Sequence, residues 1–178
     1  MEARTPRAAY LVAFLFVGLM GVVQGHVTFA ASYRTQHFVV TAPTSEIAKA
    51  VCEQAEVFRR DLAIEWLGRE LPEWSQPCPI TVQVGEHLGA GGATSFMFDR
   101  GRPFGWRMNV QGSYKRVMDS VLPHEVTHTI FATHFGQPLP RWADEGACTT
   151  VEHSDEKTKQ HHTLIRFLQS QPGLPHNN

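Results

Sequence analysis

The residues best able to do chemistry together are His124, Glu125 and His128, spaced as H-E-x-x-H. On a helix, positions four apart differ by about 40° and one turn of rise, so both imidazoles project from one face toward one point. Two neutral imidazoles suit a divalent zinc ion. Glu125 is rotated about 100° from His124, which sets it beside the metal rather than on it. There its carboxylate is positioned to take a proton from water. Val117, Val121, Ile130 and Phe131 flank the motif and supply the apolar side chains of a buried helix.

Downstream lies Trp142-Ala143-Asp144-Glu145-Gly146. H-E-x-x-H followed by W-x-x-E-G resembles the gluzincin branch of the zincin metallopeptidases. The second segment is similar to the W-L-N-E-G of gluzincin aminopeptidases. The small secreted bacterial peptidase-MA-like domains are closer in size. The resemblance spans about residues 92–153, and its two motifs are specific together and weaker apart. It implies Zn²⁺, one ion per chain, held by His124, His128 and Glu145, with Glu125 as general base.

The spacing departs slightly from that pattern. Sixteen residues stand between His128 and Glu145, a little fewer than usual. Geometry absorbs the difference. The helix climbs about 10 Å from His128 to Phe135, and a returning helix descends about 6 Å from Arg141 to Glu145. Gly136-Gln137-Pro138-Leu139-Pro140 suits the reversal between them. His134 is the rival third ligand, because H-E-x-x-H-x-x-F-x-x-H is one residue from the metzincin pattern. That pattern needs Gly where Phe131 stands. In a continuing helix His134 lies about 9 Å along the axis from His128 and about 120° around, out of reach.

The elements that must position these residues follow from periodicity. His37 to Thr41 reads as a strand. Ile47, Val51, Ala55, Phe58, Leu62 and Trp66 form the apolar stripe of a helix capped by Thr44 and ended by Gly68. A Pro-rich linker spans 69–79, and Ile80 to Val84 alternates as a strand. Gly89-Ala90-Gly91-Gly92 reads as a flexible turn, since it lacks the context of a phosphate loop. Thr94 to Phe98 and Trp106 to Val110 read as a hairpin. Around Pro123, a short helix is expected to close at Asp119 or Ser120, with Pro123 near the first turn of the next. Helices are expected over Trp142 to about His153 and Asp155 to Gln169, the latter with Leu164, Ile165 and Leu168 on one side. The expected fold is α+β and zincin-like. A small twisted mixed sheet with an edge hairpin packs on an N-terminal helix, the active-site helix and the glutamate helix.

In zincins the first strand of such a hairpin is the sheet edge above the cleft, to which substrate backbone adds. The resemblance therefore gives Thr94, Ser95 and Phe96 a substrate-binding role. Gly92 to Phe96 aligns loosely with the G-A-M-E-N of aminopeptidases, whose Glu binds the substrate amine. Ser95 stands at that place, and a hydroxyl cannot pair with an ammonium in the same way. Peptide hydrolysis is implied, and aminopeptidase action is not. Asp144 is a candidate for orienting a ligand histidine. The oxyanion role is open among Tyr114, His153, His161 and His162.

Arg4 and Arg7 precede an apolar run from Ala8 to Val23. Residues 1–30 read as a signal peptide or an N-terminal anchor, and the rest as exported, periplasmic or at the cell surface. Residues 31–171 are expected as one domain, and 172–178 as a loose tail. The chain holds 16 Lys+Arg and 17 Asp+Glu. No basic stripe marks a nucleic-acid site, and no polybasic patch marks a lipid surface. The expected partner is a peptide or protein substrate, with no nucleic acid and no membrane beyond the possible anchor. An exported chain permits disulfides. Cys52 and Cys78 are expected to pair, because a helix and an extended linker bring them within reach, leaving Cys148 unpaired. Zinc-dependent peptide-bond hydrolysis is the expected function. The alternative is a catalytically silent metal-binding module, in which a general base has no purpose.

Overall fold

The computed structural model describes residues 30–170. The expected signal segment up to residue 29 and the tail at 172–178 lie outside the described residues. Five strands form one mixed sheet in the order β1-β2-β3-β5-β4. They are β1 (Ala31–Arg34), β2 (Phe38–Ala42), β3 (Cys78–Val84), β4 (Gly91–Asp99) and β5 (Arg102–Gly112). β2, β3 and β5 run parallel, while β1 and β4 are antiparallel edges. The α+β class and the mixed sheet with an edge hairpin are as the sequence predicts.

Alternation explains the layering. In β3, Cys78, Ile80 and Val82 are buried, while Pro79, Thr81 and Gln83 are exposed. In β5, Trp106, Met108 and Val110 point inward, and Arg107, Asn109 and Gln111 outward. One face is therefore apolar and the other polar, the period-two pattern of a half-covered sheet. Helix α1 (Ser45–Leu67) and the metal-motif helix pack together on the apolar side.

α1 begins where Thr44 Oγ1 accepts the Ile47 amide at 3.3 Å, and ends at Gly68 in the left-handed region at φ 70°. Val51, Ala55 and Leu62 are buried along its stripe, and Trp66 meets Phe131 edge-on. The linker after it folds back on the body. Arg59 Nη2 donates to the Pro72 carbonyl at 2.6 Å, and its guanidinium lies 4.6 Å from the Trp74 ring centre. Trp74 also packs on Phe38 and Trp106, and its indole N–H donates to Thr133.

Several local expectations are corrected. β1 precedes the first expected strand and pairs with its other edge. Gly91 and Gly92 are not a turn: they pair with Gln111 and Val110 as the start of β4. The helix before Pro123 does not close. α2 (Tyr114–Arg116) passes through a π turn (Val117–Val121) into α3 (Leu122–Phe135) without a break. Leu122 N bonds Val117 O, the i→i−5 pattern, and Pro123 follows in the first turn of α3, where its missing N–H costs least.

The Cys52–Cys78 bridge is also corrected, because all three cysteines are free and buried. Cys52 Sγ lies 3.3 Å from Thr35 Oγ1 and 3.5 Å from the Phe38 carbonyl, at the β1–β2 turn. The nearest polar partner of Cys78 Sγ is the Pro79 carbonyl at 3.7 Å. Chain reach alone does not aim two Cβ vectors at each other, and a bridge needs that aim. Among the described residues, no helix is long and apolar enough to cross a membrane.

Candidate metal centre

Three elements bring the site together. α3 carries His124, Glu125 and His128. Gly136 ends it at φ 63°, and the chain reverses through Pro138 and Pro140 into α4 (Arg141–Thr150). A Cβ at Gly136 would lie 3.1 Å from the Gly101 Cα in the β4–β5 turn, so the reversal is pressed against the hairpin. α4 then returns Asp144, Glu145 and Cys148 to the histidines. β4 closes the opposite side.

The Nε2 atoms of both histidines face one oxygen. Glu145 Oε2 lies 3.5 Å from His124 Nε2 and 3.9 Å from His128 Nε2. The Nδ1 atoms each meet a different acid. His124 Nδ1 is 2.7 Å from Glu152 Oε1, and His128 Nδ1 is 3.0 Å from Asp144 Oδ2. An Nδ1–H donated to a carboxylate fixes the ring and leaves the Nε2 lone pair for a metal. Cys148 Sγ adds a contact to His128 Nδ1 at 3.3 Å.

Two donor sets thus meet at His128. His124, His128 and Cys148 each offer a ligand atom within 4.8 Å of the others, a group that could hold a metal ion. The Nε2 pair with Glu145 is the second set. Nitrogen with sulfur and nitrogen with carboxylate both fit zinc chemistry. His134 joins neither. α3 continues past Phe131, so His134 stays exposed and rests edge-on against Phe135.

Electrostatics separate the groups. Burial pushes the Glu125 carboxyl above the usual range. The Thr94 hydrogen bond and the two histidines pull it back only in part. Burial also opposes charge on His124. The Glu152 hydrogen bond and the charges of Glu125, Glu152 and Glu145 outweigh that, so its pKa lies above the ordinary value. The Cys148 thiol is pushed up strongly by burial, and further by Asp144, Glu125, Glu145 and Glu152.

A cleft of about 430 Å³ opens over these residues, walled by Thr94, Phe96, Leu139 and Arg141. Thr94 Oγ1 donates to Glu125 Oε2 at 2.6 Å. Thr94 and Phe96 line the cleft. Ser95 does not, because its side chain is exposed beyond the strand and reaches the Arg107 carbonyl at 3.5 Å. Strand alternation separates it from its neighbours, though its backbone remains on the edge. The oxyanion candidates Tyr114, His153, His161 and His162 do not line this cleft. A second hollow of about 310 Å³, on the polar face by Thr81, Gln83 and Asn109, has no ionisable group in its wall.

Glu152 escapes the motif reading. It lies just past the end of α4, where no helical spacing links it to Glu145, so the sequence carries no signal for it. Gln160 Nε2 holds its other oxygen at 2.8 Å. Comparison with family models, curated proteins and solved structures finds no match to this chain.

Proposed function

We propose that this chain is a zinc-dependent peptidase of the gluzincin type, acting on peptide or protein substrates outside the cytoplasm. One observation carries the reading: the two Nε2 atoms and Glu145 Oε2 converge, with the Glu125 carboxyl beside them at a free sheet edge. His124, His128 and Glu145 are the residues that would hold zinc. When bound, zinc supplies Lewis acidity that lowers the pKa of water and polarises a carbonyl.

The chain's own residues do the rest. β4 pairs with β5 on one side only, and its free side offers backbone groups to an extended peptide. Thr94 engages Glu125 Oε2 and leaves Oε1 to take the proton of the attacking water. The oxygen bonds to the peptide carbonyl carbon, the C–N bond breaks, and Glu125 returns the proton to the leaving amine. A raised Glu125 pKa suits both halves of that exchange, because a base near the working pH also releases its proton well.

Glu145 is favoured over Cys148 as third ligand for a geometric reason. Cys148 meets His128 at Nδ1, the nitrogen Asp144 also engages, and a ring does not commonly serve metals from both sides.

The test combines metal analysis with turnover. Protein purified without chelators should carry about one Zn²⁺ per chain. It should cleave members of a mixed peptide library, while Glu125→Gln keeps the metal and cleaves none. Protein that binds no added zinc ends the proposal. Zinc bound tightly with no cleavage of any peptide leaves the silent metal-binding module in its place.

A further inference from the structure

α5 (Ser154–Ser170) carries an apolar stripe on the surface: Leu164 is 53 % exposed and Phe167 57 % exposed. Two facts set this stripe apart from scattered surface apolars. First, α5 is tied to the body at its start. Arg116 Nε donates to Glu156 Oε1 at 2.5 Å, Lys157 Nζ to the Thr150 carbonyl at 3.2 Å, and Gln160 to Glu152 at 2.8 Å. Glu152 in turn holds His124.

Second, the hollows along this side adjoin, each sharing wall residues with the next. The metal-site cleft shares Gly92, His124 and Glu125 with an adjoining hollow of about 210 Å³. That hollow shares Ala90, Glu156 and Gln160 with a third of about 540 Å³, whose wall includes Leu164 and Phe167. One trough therefore runs from Phe96 and Leu139, past Glu125, to the apolar face of α5. In its polar middle, Glu156 is paired with Arg116, and Glu152 with His124, with Gln160 holding its second oxygen.

We infer that the trough binds one extended polypeptide, and that Leu164 and Phe167 with Ala90 form a remote subsite for a large apolar side chain of that substrate. This rests on the peptidase reading and narrows its substrate class. The substrate is a long, unfolded segment with an apolar residue several positions from the cleaved bond, rather than a di- or tripeptide. Continuity with the cleft is what commits the face to substrate. Contact with a second copy would need no such line of hollows. Burying one large apolar side chain there suits an effect of about tenfold on binding.

The full-length chain tests this. A peptide of about 16 residues, taken from the best-cleaved member of a random library, is compared with forms trimmed to about six residues around the cut. The double variant Leu164→Ser/Phe167→Ser removes only exposed apolar groups, so its thermal transition should stay at the wild-type position. It should raise KM for the long peptide about tenfold and leave cleavage of the trimmed peptide unchanged. Zinc-loaded Glu125→Gln gives the second readout, the anisotropy of the labelled long peptide. The same two surface substitutions on that background should weaken binding about tenfold. Equal KM for long and trimmed peptides in wild type, or unchanged binding on the Glu125→Gln background, overturns the inference. So does a change of oligomeric state in the double variant, which would assign the face to a second copy. If wild type cleaves no peptide, binding of library peptides is measured instead. Loss of that binding with the α5 variant then keeps the subsite while the peptidase reading fails.

Discussion

Gly92 and Glu125 press together: a Cβ at position 92 would lie 2.7 Å from both Cγ and Cδ of Glu125. Gly92 Cα pairs with Val110 in the ladder, so the strand cannot drift away to make room. Gly92→Ala should therefore move the Glu125 carboxylate, not His124, His128 or Glu145. We expect zinc affinity within about threefold of wild type and hydrolysis lower by at least about tenfold, because misplacing a catalytic group by about 1 Å is costly. Stability should fall by about 1–3 kcal/mol, as for other overpacked sites. Zinc titration, peptide hydrolysis and thermal melts separate the three effects, and wild-type hydrolysis in Gly92→Ala would refute the placement.

The competing donor sets at His128 make different forecasts. Glu145→Ala should weaken zinc binding strongly and abolish turnover. Cys148→Ala should keep both, with a loss of about 1–3 kcal/mol of stability for a buried side chain that leaves a gap. His134→Ala, at an exposed position, should alter neither. Competition with a chromophoric chelator reads all three. Tight zinc in Glu145→Ala with loss in Cys148→Ala would move the third ligand to sulfur.

Glu152→Gln keeps the size of the side chain and a hydrogen-bond acceptor for His124 Nδ1, but removes the charge. Outer partners of metal-bound histidines typically govern about 10- to 100-fold in affinity. We expect a loss toward the lower end of that range. The pH midpoint of zinc uptake should fall, since the removed charge is among those that hold the His124 pKa up. An unchanged midpoint would make the Glu152 contact a bystander.

Stability against acid depends on a different pair. Burial alone would raise the Glu56 pKa. The His37 amide at 2.7 Å, with hydrogen bonds from Thr35 and the His37 ring, brings it below the ordinary value of 4.5. A carboxyl depressed in the folded state stabilises fully above its unfolded pKa and loses that contribution as pH falls through the folded value. Wild type should therefore lose stability on acidification below 4.5. Glu56→Gln should start about 1–2 kcal/mol lower at neutral pH and show a flatter acid limb. Urea melts from pH 7 to pH 3 measure both. Parallel curves for the two proteins would contradict the assignment.

All three cysteines are free and buried, so a small thiol reagent should find none in native protein and three after unfolding without reductant. The Cys78 thiol, pushed up to about 12 by burial, should be unreactive even at mildly alkaline pH while the fold holds. A count of one after unfolding would restore a bridge.

What the sequence disclosed depended on how local the signal was. α1 was legible because its cap, stripe and terminal glycine all lie within the segment itself. The H-E-x-x-H helix was legible because four-residue spacing is a property of the helix alone. Gly92 misled, because its reason for being glycine sits beside it in Glu125, far along the chain. Cys52 and Cys78 misled because reach along the chain says nothing of side-chain direction. Glu152 went unread because it lies beyond the end of α4 and has meaning only once His124 is beside it.

The π turn over Val117–Val121 stores one residue more than α geometry would use, directly ahead of α3. α3 is locked in place by Leu122, Val126 and Ile130 in the core. A one-residue deletion within the turn can therefore be absorbed by relaxing it to α geometry, turning α2 rather than His124. The same deletion at Val126 or Thr127 would swing His128 about 100° away from its partner. The chain thus keeps its slack upstream of His124, and lineages of this sequence should tolerate changes of length on one side of Pro123 and not on the other.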